Sequence, residues 1–171
     1  MMLNSLEDIL AGAAPDIGRR WLSKIRSAKN LRGLNEIGDG ELLSVHESLM
    51  HILAGWFDRS ADRNVIGAFF VMMGKEYCAQ GIAVSELTFA LSLDRKSVSE
   101  HLVEGAVLEG AHRMYALMEY CDELSEFFML GAYYLTKGFL EETFLRISSC
   151  ENLPGDILTK YFKDDFFFKA T

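Results

Sequence analysis

Three ionisable residues lie at helical positions where apolar side chains would be expected. His46 follows Leu42 by four residues and precedes Leu49 by three, so it falls inside an apolar helical stripe. Glu76 and Asp94 border apolar faces in the same way. An unpaired charge at such a position costs free energy, because an apolar environment does not solvate it. These side chains therefore need internal partners or line a functional pocket.

Both interpretations are open for each residue. His46 is either a hydrogen-bonded core histidine or a ligand to haem or a metal. Internal ion pairs with Arg95, Lys75 or Lys137 would account for the two carboxylates. The polar wall of a small ligand pocket would account for them equally. The complete candidate set for that pocket is His46, Glu76, Tyr77, Asp94, Tyr133 and Tyr134.

Motifs of catalysis and metal binding are missing from the sequence. It contains no G-x-S-x-G, no H-E-x-x-H and no cysteine–histidine cluster. Gly33, Gly38 and Gly40 follow neither the Walker spacing nor the dinucleotide-binding spacing. We therefore expect no catalytic activity, no metal site and no cofactor. Three widely spaced cysteines without a C-x-x-C motif are typical of reduced thiols in a cytoplasmic protein.

The overall charge argues against nucleic acid as a partner. The net charge is −8 and the pI is about 5.0, whereas phosphate binding relies on clustered lysine and arginine. The most basic stretch, residues 19–26, is typical of the solvated face of an amphipathic helix. The longest apolar run, residues 65–74, has about half the ~20 residues that a membrane span needs. We expect a soluble protein that binds neither nucleic acid nor membranes.

Helical periodicity dominates the chain, and no stretch alternates as a strand would. The first helix should begin near Asn4 and break or restart at Pro15. Residues 30–40 are predicted to be a loop, and residues 41–58 carry the clearest amphipathic stripe. Residues 64–80 are apolar on most sides, which predicts a central helix ended by Gly81 in a left-handed conformation. The next helix should run from about residue 85 to about 103.

A proline-free segment of more than forty residues follows Gly105 and extends to about Ser149. It predicts either one long helix or two helices with a new cap at Asp122; the unbroken register favours one. The fold class is therefore all-α: a single-domain bundle of six or seven helices with a long C-terminal helix. Residues 1–150 should form this domain, and residues 151–171 a turn, a short helix and a hydrophobic tail.

The near-heptad register of the long helix also predicts self-association as a homodimer. It extends further than one intramolecular seam needs, and two small residues would permit close approach of the backbones. The candidate interface residues are Met114, Met118, Phe128, Gly131, Ala132, Leu135 and Phe139.

Two segments together resemble a known signalling family. Residues 75–87, KEYCAQGIAVSEL, resemble a helix–QGIxxSEL–helix signature, and residues 122–142, DELSEFFMLGAYYLTKGFLEE, resemble its FFDxAxYYxxRGY partner. Both occur in the N-terminal helical domain of RsbT co-antagonist (RsbRD-type) proteins, and related domains precede bacterial kinase and regulatory modules. The chain departs from the pattern at Met129, Lys137 and Ala83, where an acidic residue, arginine and proline are expected.

The resemblance implies a non-catalytic input domain that senses or relays a signal to a protein partner, with or without a small-molecule ligand. Two alternatives remain beside it: a protein–protein interaction module without a small ligand, and a haem-binding, globin-like sensor. A stand-alone sensor and the N-terminal part of a longer protein both fit the sequence.

Overall fold

A computed structural model describes residues 6–109 and 111–149, with side chains described at residue 10 and over 12–104 and 118–149. Within these ranges the chain forms six α-helices and no strand, which confirms the predicted all-α single domain. The predicted tail, residues 151–171, lies outside the described residues. The helices are α1 (Leu6–Ser27), α2 (Arg32–Glu36), α3 (Asp39–Phe57), α4 (Arg63–Ala79), α5 (Val84–Glu109) and α6 (Ala111–Ser148).

Helix α1 runs through Pro15, so the predicted break at this residue is wrong. Proline removes one backbone hydrogen bond from a helix. Tertiary packing compensates here, because one face of α1 is buried from Leu10 to Ile25. Pro15 itself is exposed on the opposite side. The buried face consists of Leu10, Ala13, Ile17, Trp21 and Ile25.

The predicted loop at residues 30–40 contains the five-residue helix α2. Its first turn is capped from a distant helix: the Glu86 carboxylate of α5 accepts hydrogen bonds from the backbone N–H groups of Gly33 (3.3 Å) and Leu34 (3.1 Å). A helix N-terminus presents unpaired N–H groups and favours negative charge. A cap that lies about fifty residues away in sequence leaves no local pattern, which is why this helix was not predicted.

Both ends of α4 are fixed by local chemistry. Asp62 accepts hydrogen bonds from the N–H groups of Asn64 and Val65, both at 2.9 Å, as an N-cap does. At the other end Gly81 has a positive φ of 79°, which confirms the predicted left-handed residue. The Ile82 N–H then bonds the Tyr77 carbonyl at 3.0 Å, completing a Schellman turn. This turn fixes the end of the helix that carries Tyr77.

The helices pack in an order that differs from the order in the sequence. Helix α1 lies between α3 and α5, while α6 lies between α5 and α4. The predicted central position of α4 is therefore wrong: it packs mainly on α6, and Val65 and Met72 remain 45% and 65% exposed. Some apolar residues of α4 therefore lie in the core, and others lie on the surface of the protein. None of the described helices is both long enough and apolar enough to cross a membrane.

Two basic residues of α1, Arg20 and Lys24, form contacts with α5. Arg20 pairs with Glu104 at 2.8 Å, and the Lys24 ammonium donates to the Ser97 hydroxyl (3.0 Å) and to Glu100 (2.5 Å). These pairs link the two helices at partly exposed positions. Further along α1, Arg26 donates to the carbonyls of Leu34 and Ile37, which lie just before α3.

Helix α6 is one continuous helix of 38 residues through Asp122, as the unbroken register favoured. It crosses α4 at two glycines: a Cβ atom on Gly74 would collide with the Leu135 carbonyl oxygen, and one on Gly138 with the Val71 carbonyl oxygen. The two backbones therefore touch directly. Only glycine permits this approach, so the crossing point is fixed by residue type.

Replacing Gly138 by alanine should destabilise the fold, because the new methyl group would force the α4 and α6 backbones apart. We expect a loss of about 1–3 kcal/mol or more in the free energy of unfolding, measured by urea denaturation. Gly12→Ala in α1 is the control, since nothing lies within 4 Å of its Cβ position. That change should stabilise the chain by about 0.5–1 kcal/mol. Equal changes in the free energy of unfolding for the two variants would contradict direct backbone contact between α4 and α6 at Gly138.

Candidate functional site

A small cavity lies at the centre of the bundle, and each of the six helices contributes to its wall. The space that the centres of water-sized molecules can occupy is about 40 Å³, enough for roughly three waters. Most of the wall is apolar. Helices α2, α4 and α6 contribute Leu34, Met73 and Leu135 to it. The lining residues are Trp21, Leu34, Leu42, Val45, His46, Leu49, Met73, Tyr77, Leu87, Ala90, Leu91, Asp94 and Leu135.

His46 and Asp94 form a buried polar pair in this wall. Each side chain is only 2% exposed. The Nδ1 atom of His46 on α3 lies 3.2 Å from Oδ1 and 3.3 Å from Oδ2 of Asp94 on α5. These distances exceed the 2.7–2.9 Å that is typical of a charge-assisted N–H···O bond. The pair therefore joins two helices that do not follow each other in the chain, without forming a tight ion pair.

Helix α1 holds the imidazole from two sides. The Trp21 ring stacks on His46 with centroids 5.3 Å apart and an interplanar angle of 18°. Trp21 is fixed in turn, because its Nε1–H donates to the Ala90 carbonyl at 3.0 Å. At Gly18 an added Cβ would lie 2.8 Å from the Cδ2 atom of His46. The missing side chain of Gly18 thus makes room for the ring.

The pair leaves two hydrogen-bonding atoms unused. Nε2 of His46 and Oδ1 of Asp94 are both buried and have no hydrogen-bond partner. Most buried polar atoms in proteins are bonded, and an open one costs about 1–3 kcal/mol. An internal polar pair is therefore present, and its hydrogen bonding is incomplete.

Burial raises the pKa of the Asp94 carboxyl above its usual value. The hydrogen bond from His46 and the charges of His46 and Lys24 act in the opposite direction but do not overcome burial. Lys24 is a distant contributor, since its ammonium is bonded to Ser97 and Glu100. Across the cavity, burial first and then the charges of Glu41 and Glu76 raise the pKa of Tyr77 to about 12. Tyr77 is therefore a neutral phenol at physiological pH.

Three of the predicted pocket residues meet at the cavity and three do not. His46, Tyr77 and Asp94 line it. Glu76 is exposed on the outer side of α4, and Tyr133 is 59% exposed. Tyr134 is half-buried and contacts Tyr133 edge to face at 5.1 Å, outside the cavity lining. The predicted carboxylate partners also differ: His46 takes the place of Arg95, Lys75 or Lys137, while Lys75 pairs with buried Glu141 at 2.8 Å.

Several residues predicted to bind a second copy are instead covered within the chain. Phe128, Gly131 and Leu135 are buried, and Gly131 lies against the Phe70 ring. Ala132 and Phe139 are half-buried against the core. Met118 is 65% exposed, and the side chain of Met114 lies outside the described residues. Self-association stays a prediction; a second copy binding α6 would meet Met118, Met129 and Tyr133, not the buried seam.

Three further residues hold the His46 ring in place and were not predicted, because they act through their size and position and not through charge. Trp21, Gly18 and Ala90 carry no charge and follow no motif. The signal available for Trp21 is its indole N–H, which needs a partner when buried. Gly18 gives no sequence signal beyond a glycine inside a helix.

The described lining of the cavity does not provide a serine, threonine or cysteine nucleophile for the His46–Asp94 pair. In acyl transfer such a pair activates a serine or cysteine nucleophile. Among the described lining residues there is no serine, threonine or cysteine, and the raised pKa of Tyr77 opposes formation of a phenolate. Nor do three or more histidine, cysteine or acidic side chains group as metal ligands in the part of the chain that the structure describes.

Comparison with known proteins gives no family assignment. No protein-family model, curated protein or solved structure matches this chain.

The raised pKa of Asp94 predicts a pH-dependent effect of Asp94→Asn. The folded chain binds this proton more tightly than the unfolded chain, whose value is near 3.8. Stability from the protonated carboxyl is present below that pH and is lost as the pH rises through the folded pKa. The free energy of unfolding of Asp94→Asn, relative to wild type, should therefore rise with pH above 3.8. Urea denaturation over a pH series measures it.

Asp58→Asn provides a control of opposite sign. Asp58 is exposed, and hydrogen bonds from Ser60 lower its pKa, so its contribution is present above the unfolded pKa and is lost as the pH falls. The free energy of unfolding of wild type, relative to that of Asp58→Asn, should therefore increase as the pH rises. A stability difference for Asp94→Asn that is constant, or that falls with pH, would contradict the buried state of the carboxyl.

Gly18→Ala should displace His46, since the ring is held by Trp21 on one face and by Asp94 at Nδ1. We expect a loss of about 1–3 kcal/mol in unfolding free energy and a shift of the His46 ring resonances in NMR spectra. Gly12→Ala in the same helix serves as the matched control. Unchanged His46 resonances would show that the ring does not rest on Gly18.

Proposed function

We propose that this chain is a non-catalytic signalling input domain, in which occupancy of the central cavity is relayed through the packing of α6. The observation that carries the proposal is the incompletely bonded His46–Asp94 pair in the cavity wall. Polar groups that lower stability are commonly retained for function. Pockets with a few convergent polar groups in an apolar wall are typical ligand sites.

The position of α6 supports a relay from this cavity. Leu135 lines the cavity, and its carbonyl lies at the glycine crossing with α4. Gly138, less than one turn further on, meets Val71 in the same crossing. Packed backbones of this kind do not deform continuously but shift as units. A ligand that moves the Leu135 side chain would therefore act on the whole α4–α6 contact.

A specific observation also favours the alternative, an interaction module without a small ligand. Helix α6 exposes Met118, Met129 and Tyr133, which are 65%, 66% and 59% exposed. Exposed apolar groups of this size mark contact surfaces when they are contiguous. A haem-binding sensor has less support, because a cavity of about 40 Å³ does not admit a tetrapyrrole.

Thermal-shift screening of the full chain against small metabolites tests the proposal. A ligand at one hundred times its Kd should stabilise the fold by about 2.7 kcal/mol, which is roughly 5–10 °C in Tm. Val45→Phe should abolish the shift, since half-buried Val45 lines the cavity. Val65→Phe makes the same change at a 45% exposed position outside the lining and should preserve it.

The relay has its own measurement. Amide exchange along residues 131–138 should slow when a hit from the screen is bound, because the α4–α6 contact then opens less often. A hit that leaves this segment unchanged would argue against a relay through α6. If no compound shifts Tm, while a protein partner binds the chain and loses affinity on Met129→Glu, the interaction module is the better description.

A further inference from the structure

The unused atoms of the His46–Asp94 pair define the chemistry of the missing partner. An ionised carboxylate can only accept hydrogen bonds, and Oδ1 of Asp94 lies 3.2 Å from His46 Nδ1 without forming a hydrogen bond. When His46 donates its Nδ1 proton to Asp94, the Nε2 atom of the neutral ring is also an acceptor. Both open positions therefore require a hydrogen-bond donor. A ligand that supplies only acceptors would leave them unmet.

Charge narrows the choice among donors. The only cation described near Asp94, other than the imidazole, is Lys24, and its ammonium is directed at Ser97 and Glu100. No lysine or arginine described in the structure is hydrogen-bonded to the Asp94 carboxylate. The nearest ionisable group is the His46 imidazole, whose Nδ1 lies 3.2 Å from Oδ1. A buried negative charge is stabilised most by a donor that is itself positively charged. An ammonium group satisfies this need better than a hydroxyl group.

Size and lining define the rest of the ligand. A volume of about 40 Å³ accommodates roughly three or four non-hydrogen atoms. The remaining wall is apolar, with Leu49, Met73 and Leu91 among its residues. The aromatic rings of Trp21 and Tyr77 in the same wall also favour a cation. A short aliphatic chain with one charged end matches this combination.

We infer that the central cavity binds a short-chain primary ammonium ion, with its nitrogen donating to Asp94 and its alkyl chain against the apolar wall. This inference rests on the proposed input function and names the ligand class of the same cavity. Anionic ligands of equal size supply no hydrogen-bond donor and are repelled by the ionised form of Asp94. Neutral alcohols would be weaker, because they supply a donor without the charge.

Three probes of similar size test the inference on the full chain: n-propylammonium chloride, propan-1-ol and sodium propionate, at matched ionic strength. Binding is followed by NMR through the His46 ring resonances. Propylammonium should bind tighter than propanol by on the order of tenfold, and propionate should not bind. Asp94→Asn should remove this preference and leave propanol affinity within about twofold of wild type.

Two further variants keep the test independent of the folding of Asp94→Asn. Val45→Phe should abolish propylammonium binding, and Val65→Phe should preserve it. The chain carries a net charge of −8, so cations also associate with its surface. Propylammonium binding that survives both Asp94→Asn and Val45→Phe would be surface association and would overturn the inference.

The remaining outcomes separate the inference from the proposed function. If propanol or propionate binds as tightly as propylammonium and Val45→Phe blocks that binding, the ammonium class is wrong while the cavity remains a ligand site. If none of the three probes binds, the inference is also wrong. The screen with Val45→Phe and Val65→Phe then decides the input function by itself.

Discussion

The hydrogen bond between His46 and Asp94 is the contact around which the rest of the bundle is arranged. It joins α3 to α5 across 48 positions of sequence, inside a core where both side chains are almost completely buried. Two ionisable groups can occupy such a place only if the neighbouring helix accommodates them. Helix α1 does so, because Gly18 leaves space for the imidazole and Trp21 covers its face. The ion pairs of the same helix with α5, such as Lys24 with Glu100, add further contacts between these two helices.

The second half of the bundle is positioned by a different constraint, the direct contact of α4 and α6 backbones. Glycines at 74 and 138 fix the crossing to one point on each helix, since any other residue would hold the helices further apart. Side chains near this point, Met73 on α4 and Leu135 on α6, reach the cavity wall. The cavity thus lies between two close contacts: the His46–Asp94 pair with its Trp21 cover on one side, and the glycine crossing of α4 and α6 on the other. Neither would tolerate a small repacking, and this makes the cavity a defined feature of the fold.

Sequence patterns predicted the helical fold and three of the six pocket residues correctly. The positions of the other three explain why the pattern failed for them. His46 and Asp94 lie in clear amphipathic stripes, where the position alone indicates burial. Helix α4 is apolar on most sides, so its pattern does not define an inner face, and Glu76 proved exposed beside buried Tyr77. On α6 a step of one residue turns a side chain by about 100°, which separates Tyr133 and Tyr134 from cavity-lining Leu135. The partner of Asp94, the cap that Glu86 provides for α2 and the role of Gly18 are long-range contacts, which periodicity does not encode.

A buried polar pair can be kept because it makes one arrangement of the helices unique, or because it serves a ligand. The first role is attested in other folds, where a polar core residue specifies register at some cost in stability. A polar pair specifies register best when all of its polar atoms are hydrogen-bonded. A buried polar atom without a hydrogen bond destabilises the native packing of the helices as well as the alternative packings. Here Nε2 of His46 and Oδ1 of Asp94 have no partner, and their residues line a space that holds roughly three waters. Register between α3 and α5 explains the bond that is present. It does not explain the open carboxylate oxygen of Asp94, and the proposed ammonium ligand would.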